Sequence, residues 1–323
     1  MKYRKLSSTE LNISEIGFGS WGIGGVTPGS NSYGPTDDLT SIEALNTAFE
    51  NGINFFDTSN IYGLGHSEEL IGKTFQHKRK DVLYATKLGM KDFKTLIELN
   101  KYTMSKSLDD SLTRLKTDYI DLLQLHNVPI DTLIKNPTII QTLQGFKKQG
   151  KTREIGLSLQ NPNDLFKIAS IFDIKIFQLN LNLLDMRLLN NEHFKKIKQS
   201  SIGIIARTPF CFGFLVNNFS KNYHFDKKDH RSTWSQIQRS NWSQNAKKMF
   251  MGLSVDEENI KDKILTALRF CLTVPNVSSV LPGMVSKKEV LSNIKASSLG
   301  NLSNEIYNQA IKIYKELDFK IEK

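Results

Sequence analysis

The feature that most constrains the fold is a repeated alternation of short apolar runs with longer helical patterns along a chain of 323 residues. A helix between two strands lets the second strand run parallel to the first, so this alternation predicts a parallel sheet. Eight apolar runs are predicted to be strands: Ile16–Gly19, Ile53–Thr58, Val82–Lys87, Tyr119–His126, Glu154–Leu159, Ile176–Leu181, Ile202–Thr208 and Ser278–Gly283. Eight alternating units predict a closed (β/α)8 TIM barrel of the α/β class.

The segments between the runs carry helical spacing. In "SKSLDDSLTRLKTD" the leucines Leu108, Leu112 and Leu115 recur at i, i+4 and i+7, which places them on one face of a helix. A second helix is predicted for "SEELIGKTF", with Ser67 as its N-cap.

An open, doubly wound sheet is the competing arrangement. It requires a glycine-rich turn that leads directly into a helix. The glycines of "GFGSWGIGG" follow the first strand, but the next residues form a loop with Pro28 and Pro35. The sequence therefore favours the closed barrel.

Two segments lie outside the alternation. The N-terminal "YRKLSSTELNISEIG" is predicted to be a β-hairpin that covers the N-terminal mouth of the barrel. Residues Val216 to about Asp256 are predicted to form a long loop after the seventh strand, at the end where barrels bind their ligands. No linker divides the chain, which predicts one domain over residues 1–323.

Composition excludes several function classes. The net charge is +10, but the lysines are scattered and form no long basic block, so no nucleic acid is predicted as a partner. There is no apolar run of membrane-spanning length, and no membrane partner is predicted. Two cysteines, Cys211 and Cys271, are too few for a disulfide framework or a metal site, which predicts a reducing, cytoplasmic location. The oligomeric state stays open.

Polar residues end most of the predicted strands. In a barrel these ends meet at one mouth, where catalytic groups are placed. A ring of such groups predicts a site there, with the side chains Asp57, Lys87, His126, Ser158, Gln178 and Arg207.

Several motifs resemble the signatures of the aldo-keto reductase family. They are "FFDTSNIYGLGHSEELIG", "ATKLG", "SLDDSLTRLKTDYIDLLQLH", "EIGLSL", "RTPFCFGFL" and "LPGMVSKKEVLSNI", and they span nearly the whole chain. The resemblance implies an oxidoreductase that reduces an aldehyde or ketone to an alcohol with NAD(P)H. It also implies a catalytic tetrad of Asp57, Tyr62, Lys87 and His126.

This tetrad suits carbonyl reduction chemically. Hydride transfer to a carbonyl carbon builds negative charge on oxygen, which needs a proton. A free tyrosine has a pKa of about 10, and a neighbouring lysine ammonium stabilises its phenolate. We interpret Tyr62 as the proton donor, Lys87 as the cation beside it, and Asp57 as the anchor of Lys87. A neutral His126 would orient the carbonyl through a hydrogen bond.

The resemblance also implies a set of cofactor and substrate contacts. Trp21, Tyr62 and His126 are expected to face the substrate. The cofactor contacts are expected at Ser20, Trp21, Ser158, Gln178, Arg207, Phe210, Gly213, Gly283, Ser286, Lys287, Glu289 and Asn293.

Four positions depart from the family pattern. Leu159 stands where family members hold the nicotinamide carboxamide with an asparagine, and Arg207 stands where many members stack an aromatic ring on the nicotinamide. Val285 stands where many NADPH-specific members have an arginine that binds the 2′-phosphate, and Glu289 stands where the family often has a glutamine. NADP(H) is the favoured cofactor, and NAD(H) is the alternative.

Two other functions remain open from the sequence. A redox-responsive partner protein would bind the cofactor with little turnover, as some relatives do. A barrel aldolase would use Lys87 to form a Schiff base. The aldolase hypothesis gives no reason for Ser158, Gln178 and "GMVSKKEVLSN".

Overall fold

The computed structural model describes residues 1–27, 32–189, 194–220, 223–319 and 321. Pro28, which was used above to predict a loop, lies outside the described residues. The last two residues of the predicted domain also lie outside them. The strands are β1 Tyr3–Lys5, β2 Asn12–Ser14, β3 Phe18–Gly19, β4 Phe55–Asp57, β5 Leu83–Leu88, β6 Ile120–His126, β7 Thr152–Leu159, β8 Ile176–Asn180, β9 Gly203–Arg207 and β10 Val277–Leu281. The helices are α1 Asp38–Glu50, α2 His66–Phe75, α3 Lys101–Leu115, α4 Ile130–Lys135, α5 Thr138–Lys148, α6 Asp164–Ile171, α7 Phe194–Ile197, α8 Gln236–Gly252, α9 Ile260–Thr273, α10 Lys287–Asn293, α11 Lys295–Leu299 and α12 Asn304–Glu316.

Strands β3 to β10 form one parallel sheet in sequence order. Its edges meet, because Ile16 and Gly19 form parallel bridges to Val280 and Gly283. The Gly17 N–H donates to the Val280 carbonyl at 2.9 Å across this seam. The (β/α)8 barrel is confirmed, and the ends of the eight predicted strands differ from the observed ones by two residues at most.

The N-terminal hairpin, β1 and β2, covers the N-terminal mouth as predicted. Its buried side chains Leu6, Leu11 and Ile13 pack on apolar residues inside the barrel. Those barrel residues, one from each of six strands, are Phe55, Ala85, Leu122, Ile176, Ile205 and Leu281.

The polar residues of the site lie two positions after this apolar layer on most strands. Successive side chains of a strand point to opposite faces, so residues two apart share the barrel interior. Asp57 follows Phe55 in this way, and Lys87 follows Ala85. The barrel interior therefore has an apolar layer near the N-terminal hairpin and a polar layer at the C-terminal ends of the strands.

Two local predictions need correction. Helix α2 begins at His66 after Gly65, and the Ser67 hydroxyl donates to the Ser20 carbonyl instead of capping the helix. Because the 3₁₀ turn Tyr62–Gly65 is followed directly by α2, the helix begins before the predicted N-cap Ser67. The segment predicted as a long loop contains the 17-residue helix α8, which the sequence reasoning missed because the helix is largely polar.

Among the described residues, no helix is both long and apolar enough to cross a membrane.

Candidate active site

The carboxylate of Asp57 lies at the centre of the polar layer. Its side chain ends β4 and is 3% exposed. Oδ1 accepts from Lys87 Nζ at 2.5 Å, and Oδ2 accepts from Gln178 Nε2 at 2.7 Å and Gln124 Nε2 at 3.3 Å. A buried carboxylate is stable only when cations and donors surround it, and Asp57 has three.

Lys87 is completely buried and links Asp57 to Tyr62. Its ammonium contacts Asp57 Oδ1, the Thr58 carbonyl at 2.8 Å and Tyr62 Oη at 3.4 Å. An ammonium has three N–H donors, and these three acceptors use all of them. The positive charge is thereby held beside the phenol oxygen.

A tight turn fixes the position of Tyr62. The side chain begins the 3₁₀ turn Tyr62–Gly65, in which Gly63 has φ = 62°. A Cβ on Gly63 would lie 2.3 Å from the Gly24 carbonyl oxygen. Only glycine allows this approach, which presses the turn against the turn after β3.

His126 ends β6, and its ring contacts a serine. His126 Nδ1 lies 3.1 Å from Ser59 Oγ, which is also 3.2 Å from Asn60 Oδ1. The Asn60 amide group donates to the Met90 carbonyl at 3.1 Å, so its oxygen faces Ser59. Ser59 therefore has one proton and two acceptors for it.

His126 is neutral at physiological pH. Burial lowers its pKa well below 6.5, and the cations of Lys87 and Arg207 lower it further. A neutral imidazole donates through one nitrogen only, and the contact of Ser59 with Nδ1 bears on which nitrogen carries the proton.

These side chains border a cavity of about 220 Å³ at the C-terminal mouth of the barrel. Lys87 does not line the cavity, but it contacts the lining residues Asp57 and Tyr62. The predicted site residues that line the cavity are Ser20, Trp21, Asp57, Tyr62, His126, Gln178, Arg207 and Gly283. The lining residues that were not predicted are Gly19, Gly22, Tyr33, Phe93, Asn127, Asn180, Thr208, Phe212 and Leu281.

Comparison with known proteins decides the family. The model of the Aldo/keto reductase family matches residues 15–315, nearly the whole chain.

The chain belongs to the aldo/keto reductase family.

Named relatives and a solved structure agree. The chain is 29% identical over 311 residues to the uncharacterized oxidoreductase YqkF of Bacillus subtilis, covering 94% of each. It is 30% identical over 309 residues to L-galactose dehydrogenase of Arabidopsis thaliana, covering 92% of this chain and 88% of the relative. The holo form of aldo-keto reductase AKR11C1 from Bacillus halodurans superposes with a TM-score of 0.78 at 25% identity, covering 100% of this chain and 98% of that one.

Membership implies NAD(P)H-dependent carbonyl reduction, and unsatisfied polar atoms in this aldo-keto reductase fit a nicotinamide cofactor. Within the described part of the chain, three of the buried polar atoms that have no hydrogen-bond partner belong to residues expected to contact the cofactor. They are Ser20 Oγ, Ser158 Oγ and Arg207 Nε. Buried polar groups are normally paired, so a bound amide group would satisfy such atoms. Ser158 is paired in register with His126 and Gln178 on the neighbouring strands, but it is not itself among the residues that line the cavity.

Arg207 is held from the strand side of the cavity. Its Nη2 donates to Asn127 Oδ1 at 3.1 Å and to the Leu159 carbonyl at 3.0 Å. Leu159 has no side-chain amide, but its backbone oxygen accepts from the guanidinium and holds it in place. The planar group is therefore oriented before any ligand binds.

The other expected cofactor residues do not line this cavity. Phe210 and Gly213 belong to the turn after β9, next to the lining residue Phe212. Four more residues lie at the start of α10 or within it: Ser286, Lys287, Glu289 and Asn293. They form a separate group beyond Gly283.

The start of α10 is occupied by protein groups. Ser286 caps the helix by accepting from the Glu289 N–H, and Glu289 Oε2 accepts from the Val285 N–H at 2.8 Å. Lys287 Nζ lies 3.6 Å from Glu43 Oε1, and both side chains are more than half exposed.

Sequence reasoning missed several of these contacts. Gln124 and Asn180 share the interior face with His126 and Gln178, so the two-residue repeat of the strands could have identified them. Ser59 lies in the motif that contains Asp57 and Tyr62, but nothing in the sequence indicates its contact with His126. The aromatic lining residues that were not predicted, Tyr33, Phe93 and Phe212, lie on loops and carry no sequence signal of their own.

Proposed function

We propose that this aldo-keto reductase reduces an aldehyde or ketone to the corresponding alcohol, with Tyr62 as the proton donor. The observation that carries the proposal is the buried Lys87 ammonium, which joins the Asp57 carboxylate to the Tyr62 hydroxyl. A lysine placed there has no evident structural use, because burying its charge is costly. Asp57 compensates the buried charge, and stabilising a phenolate on Tyr62 gives the lysine a functional use.

The reaction divides between cofactor and protein. A reduced nicotinamide, when bound, supplies the hydride for the carbonyl carbon. The protein supplies the proton: Tyr62 Oη gives it to the carbonyl oxygen, and Lys87 stabilises the phenolate that remains. Neutral His126 donates a hydrogen bond that orients the same oxygen. Ser20, Ser158, Gln178 and Arg207 are the residues proposed to hold the nicotinamide.

We propose NADP(H) as the favoured cofactor, with NAD(H) also accepted. Ser286 and the exposed Lys287 offer a hydroxyl and a cation to a 2′-phosphate. Glu289 acts in the opposite direction, because its carboxylate takes the Val285 N–H that could bind an anion. The ratio of kcat/KM for the two cofactors measures the balance, and Glu289→Gln should shift it toward NADPH.

The direct test follows the hydride. NAD(P)H deuterated at the transferred position should yield an alcohol with one deuterium on the former carbonyl carbon, detected by mass spectrometry. A product without deuterium would contradict the proposal. Methylglyoxal, glyceraldehyde and 4-nitrobenzaldehyde make a broad first panel.

The two alternatives give different results in the same samples. A partner protein that only binds cofactor would show tight binding and no deuterated product. An aldolase would form an adduct on Lys87 that borohydride traps. The position of Lys87 argues against the aldolase, because its side chain is completely buried and is not among the residues that line the cavity, so a substrate carbonyl would not reach Nζ.

A further inference from the structure

The cavity has two unlike sides. The strand side is polar and consists of residues at the ends of β6, β8 and β9, such as His126, Gln178 and Arg207. Four other lining side chains come from loops and are aromatic. We call this group the aromatic wall, formed by Trp21, Tyr33, Phe93 and Phe212.

Trp21 is the centre of the aromatic wall. Its ring centroid lies 5.0 Å from that of Tyr33, 5.4 Å from that of Phe93 and 6.2 Å from that of Phe212. All four side chains are only partly buried. Their remaining apolar surface borders the cavity, and a planar apolar ligand would remove it from water.

The proposed proton donor adjoins this wall. The Tyr62 ring stacks on Phe93 with a centroid distance of 6.3 Å and an interplanar angle of 9°, and it lies 6.2 Å from Trp21. A carbonyl whose oxygen reaches Tyr62 Oη therefore places its substituent against aromatic side chains.

Contacts between loops hold the wall in place. The His230 N–H donates to the Ser32 carbonyl at 2.8 Å, which joins the loop after β3 to the segment after β9. Arg231 is bound by both carboxylate oxygens of Asp229 and donates to the Phe212 carbonyl at 3.0 Å. Its guanidinium also lies over the Tyr33 ring at 4.9 Å. The wall is thus formed before a ligand arrives, which lowers the entropy cost of binding.

The charged side chains that line the cavity lie at the ends of strands and not on the aromatic wall. Among the described lining residues, the charged ones are Asp57 and Arg207, since His126 is neutral. Asp57 is bound to Lys87, and Arg207 is bound to Asn127 and Leu159. The aromatic wall has no cation for a carboxylate or phosphate and few hydrogen-bonding groups for a polyol.

We propose that the substrates of this site are uncharged aryl aldehydes and ketones, in which the carbonyl is conjugated to a flat ring that packs on the aromatic wall. The proposal rests on the proposed reductase function and narrows it. The relative L-galactose dehydrogenase is named for a sugar substrate. The proposal predicts a different substrate specificity for this chain.

The test compares kcat/KM for benzaldehyde, 4-carboxybenzaldehyde and glyceraldehyde. We expect benzaldehyde to exceed each of the other two by on the order of 100-fold. Phe93→Ala should lower the ratio of benzaldehyde to glyceraldehyde by on the order of 10-fold. Tyr102→Ala is the matched control, because Tyr102 is an exposed aromatic side chain outside the cavity, and it should leave the ratio unchanged.

A binding measurement separates failure of this inference from failure of the proposed function. Calorimetric titration with benzyl alcohol and with glycerol, in the presence of oxidised cofactor, requires no turnover. Glyceraldehyde or 4-carboxybenzaldehyde as the better substrate would overturn the aryl specificity and leave the reductase standing. If no aldehyde is reduced but benzyl alcohol binds and glycerol does not, the reductase fails and the aryl site stands. Neither turnover nor aryl binding would overturn both.

Discussion

Ser59 contacts the ring of His126, one of the two residues whose protons matter for the proposed reaction. Its hydroxyl contacts His126 Nδ1 at 3.1 Å and Asn60 Oδ1 at 3.2 Å, and it can donate to only one of them. When Ser59 donates to Nδ1, the proton of the neutral ring is on Nε2, which can then donate to a carbonyl oxygen. When Ser59 donates to Asn60, the ring proton is on Nδ1 instead. We therefore infer that Ser59 positions the proton of His126, although Ser59 does not line the cavity itself.

We expect Ser59→Ala to lower kcat about 10-fold, because one hydrogen bond that selects the active tautomer is lost. The KM for the cofactor should stay unchanged. Nitrogen-15 NMR of the imidazole, assigned with His126→Gln, should show a changed Nδ1–H to Nε2–H ratio. Ser59→Thr retains the hydroxyl and should restore most of the rate. A wild-type kcat and an unchanged imidazole spectrum in Ser59→Ala would contradict this role.

Among the elements, the strands of the barrel are the part that the sequence predicts best. Each strand is a short apolar run, and alternation places Asp57 above Phe55 and Lys87 above Ala85 on one interior face. The same rule reaches Gln124, whose amide completes the set around Asp57. Helix α8 was missed because its residues are largely polar and carry little apolar periodicity, so only packing in the folded chain reveals it.

A buried ion pair ties α2 to α3 next to the Tyr62 turn. Glu68 is fully buried, and its carboxylate accepts from Arg114 Nε at 2.7 Å and from Thr86 Oγ1 at 2.5 Å. The Arg114 side chain also covers Gly65 at the start of α2. The pair thus joins both helices to β5, the strand that carries Lys87.

Arg114→Ala should lower the free energy of unfolding by about 3 kcal/mol, because the buried Glu68 carboxylate loses its cation. Urea unfolding followed by circular dichroism measures this. Lys106→Ala is the control on the same helix, since Lys106 forms an exposed pair with Asp110 at 3.6 Å. Its effect should be below about 0.5 kcal/mol. Equal effects of the two substitutions would mean that the Glu68 pair does not hold the helices.

At the scale of the whole molecule, the mouth of the barrel is what sequence reasoning could not assemble. Trp21, Tyr33, Phe93 and Phe212 come from three loops, and their meeting depends on contacts such as that of Arg231 with Phe212. No periodicity relates such residues, because loops follow no repeat. The strand ends could be predicted since the barrel topology brings them together, whereas the aromatic wall required the structure.

Two buried histidines make the stability of the whole fold depend on pH. Burial lowers the pKa of His126 well below 6.5 and that of His230 to about 4. Since both values lie below that of the unfolded chain, acidification protonates the unfolded state first. The stability that these residues provide is complete above pH 6.5 and is lost as the pH falls toward 4.

We expect His230 to lower the free energy of unfolding by about 1.4 kcal/mol per pH unit in that window, and the lowered pKa of His126 adds to the slope in the same direction. Urea unfolding at pH 5, 6 and 7.5 measures the slope. His230→Phe retains an aromatic ring without the titrating group and should reduce the slope by the amount expected for one proton. An unchanged slope in that variant would show that His230 does not contribute.

The central claim is that Tyr62 delivers the proton. The most direct measurement is the rate of NAD(P)H oxidation with a saturating aldehyde, for the wild type and for Tyr62→Phe, with cofactor binding titrated on the same samples. The geometry of Lys87, 3.4 Å from Tyr62 Oη, predicts that kcat falls at least about 100-fold while cofactor binding is retained. A Tyr62→Phe enzyme that turns over at the wild-type rate would contradict the claim.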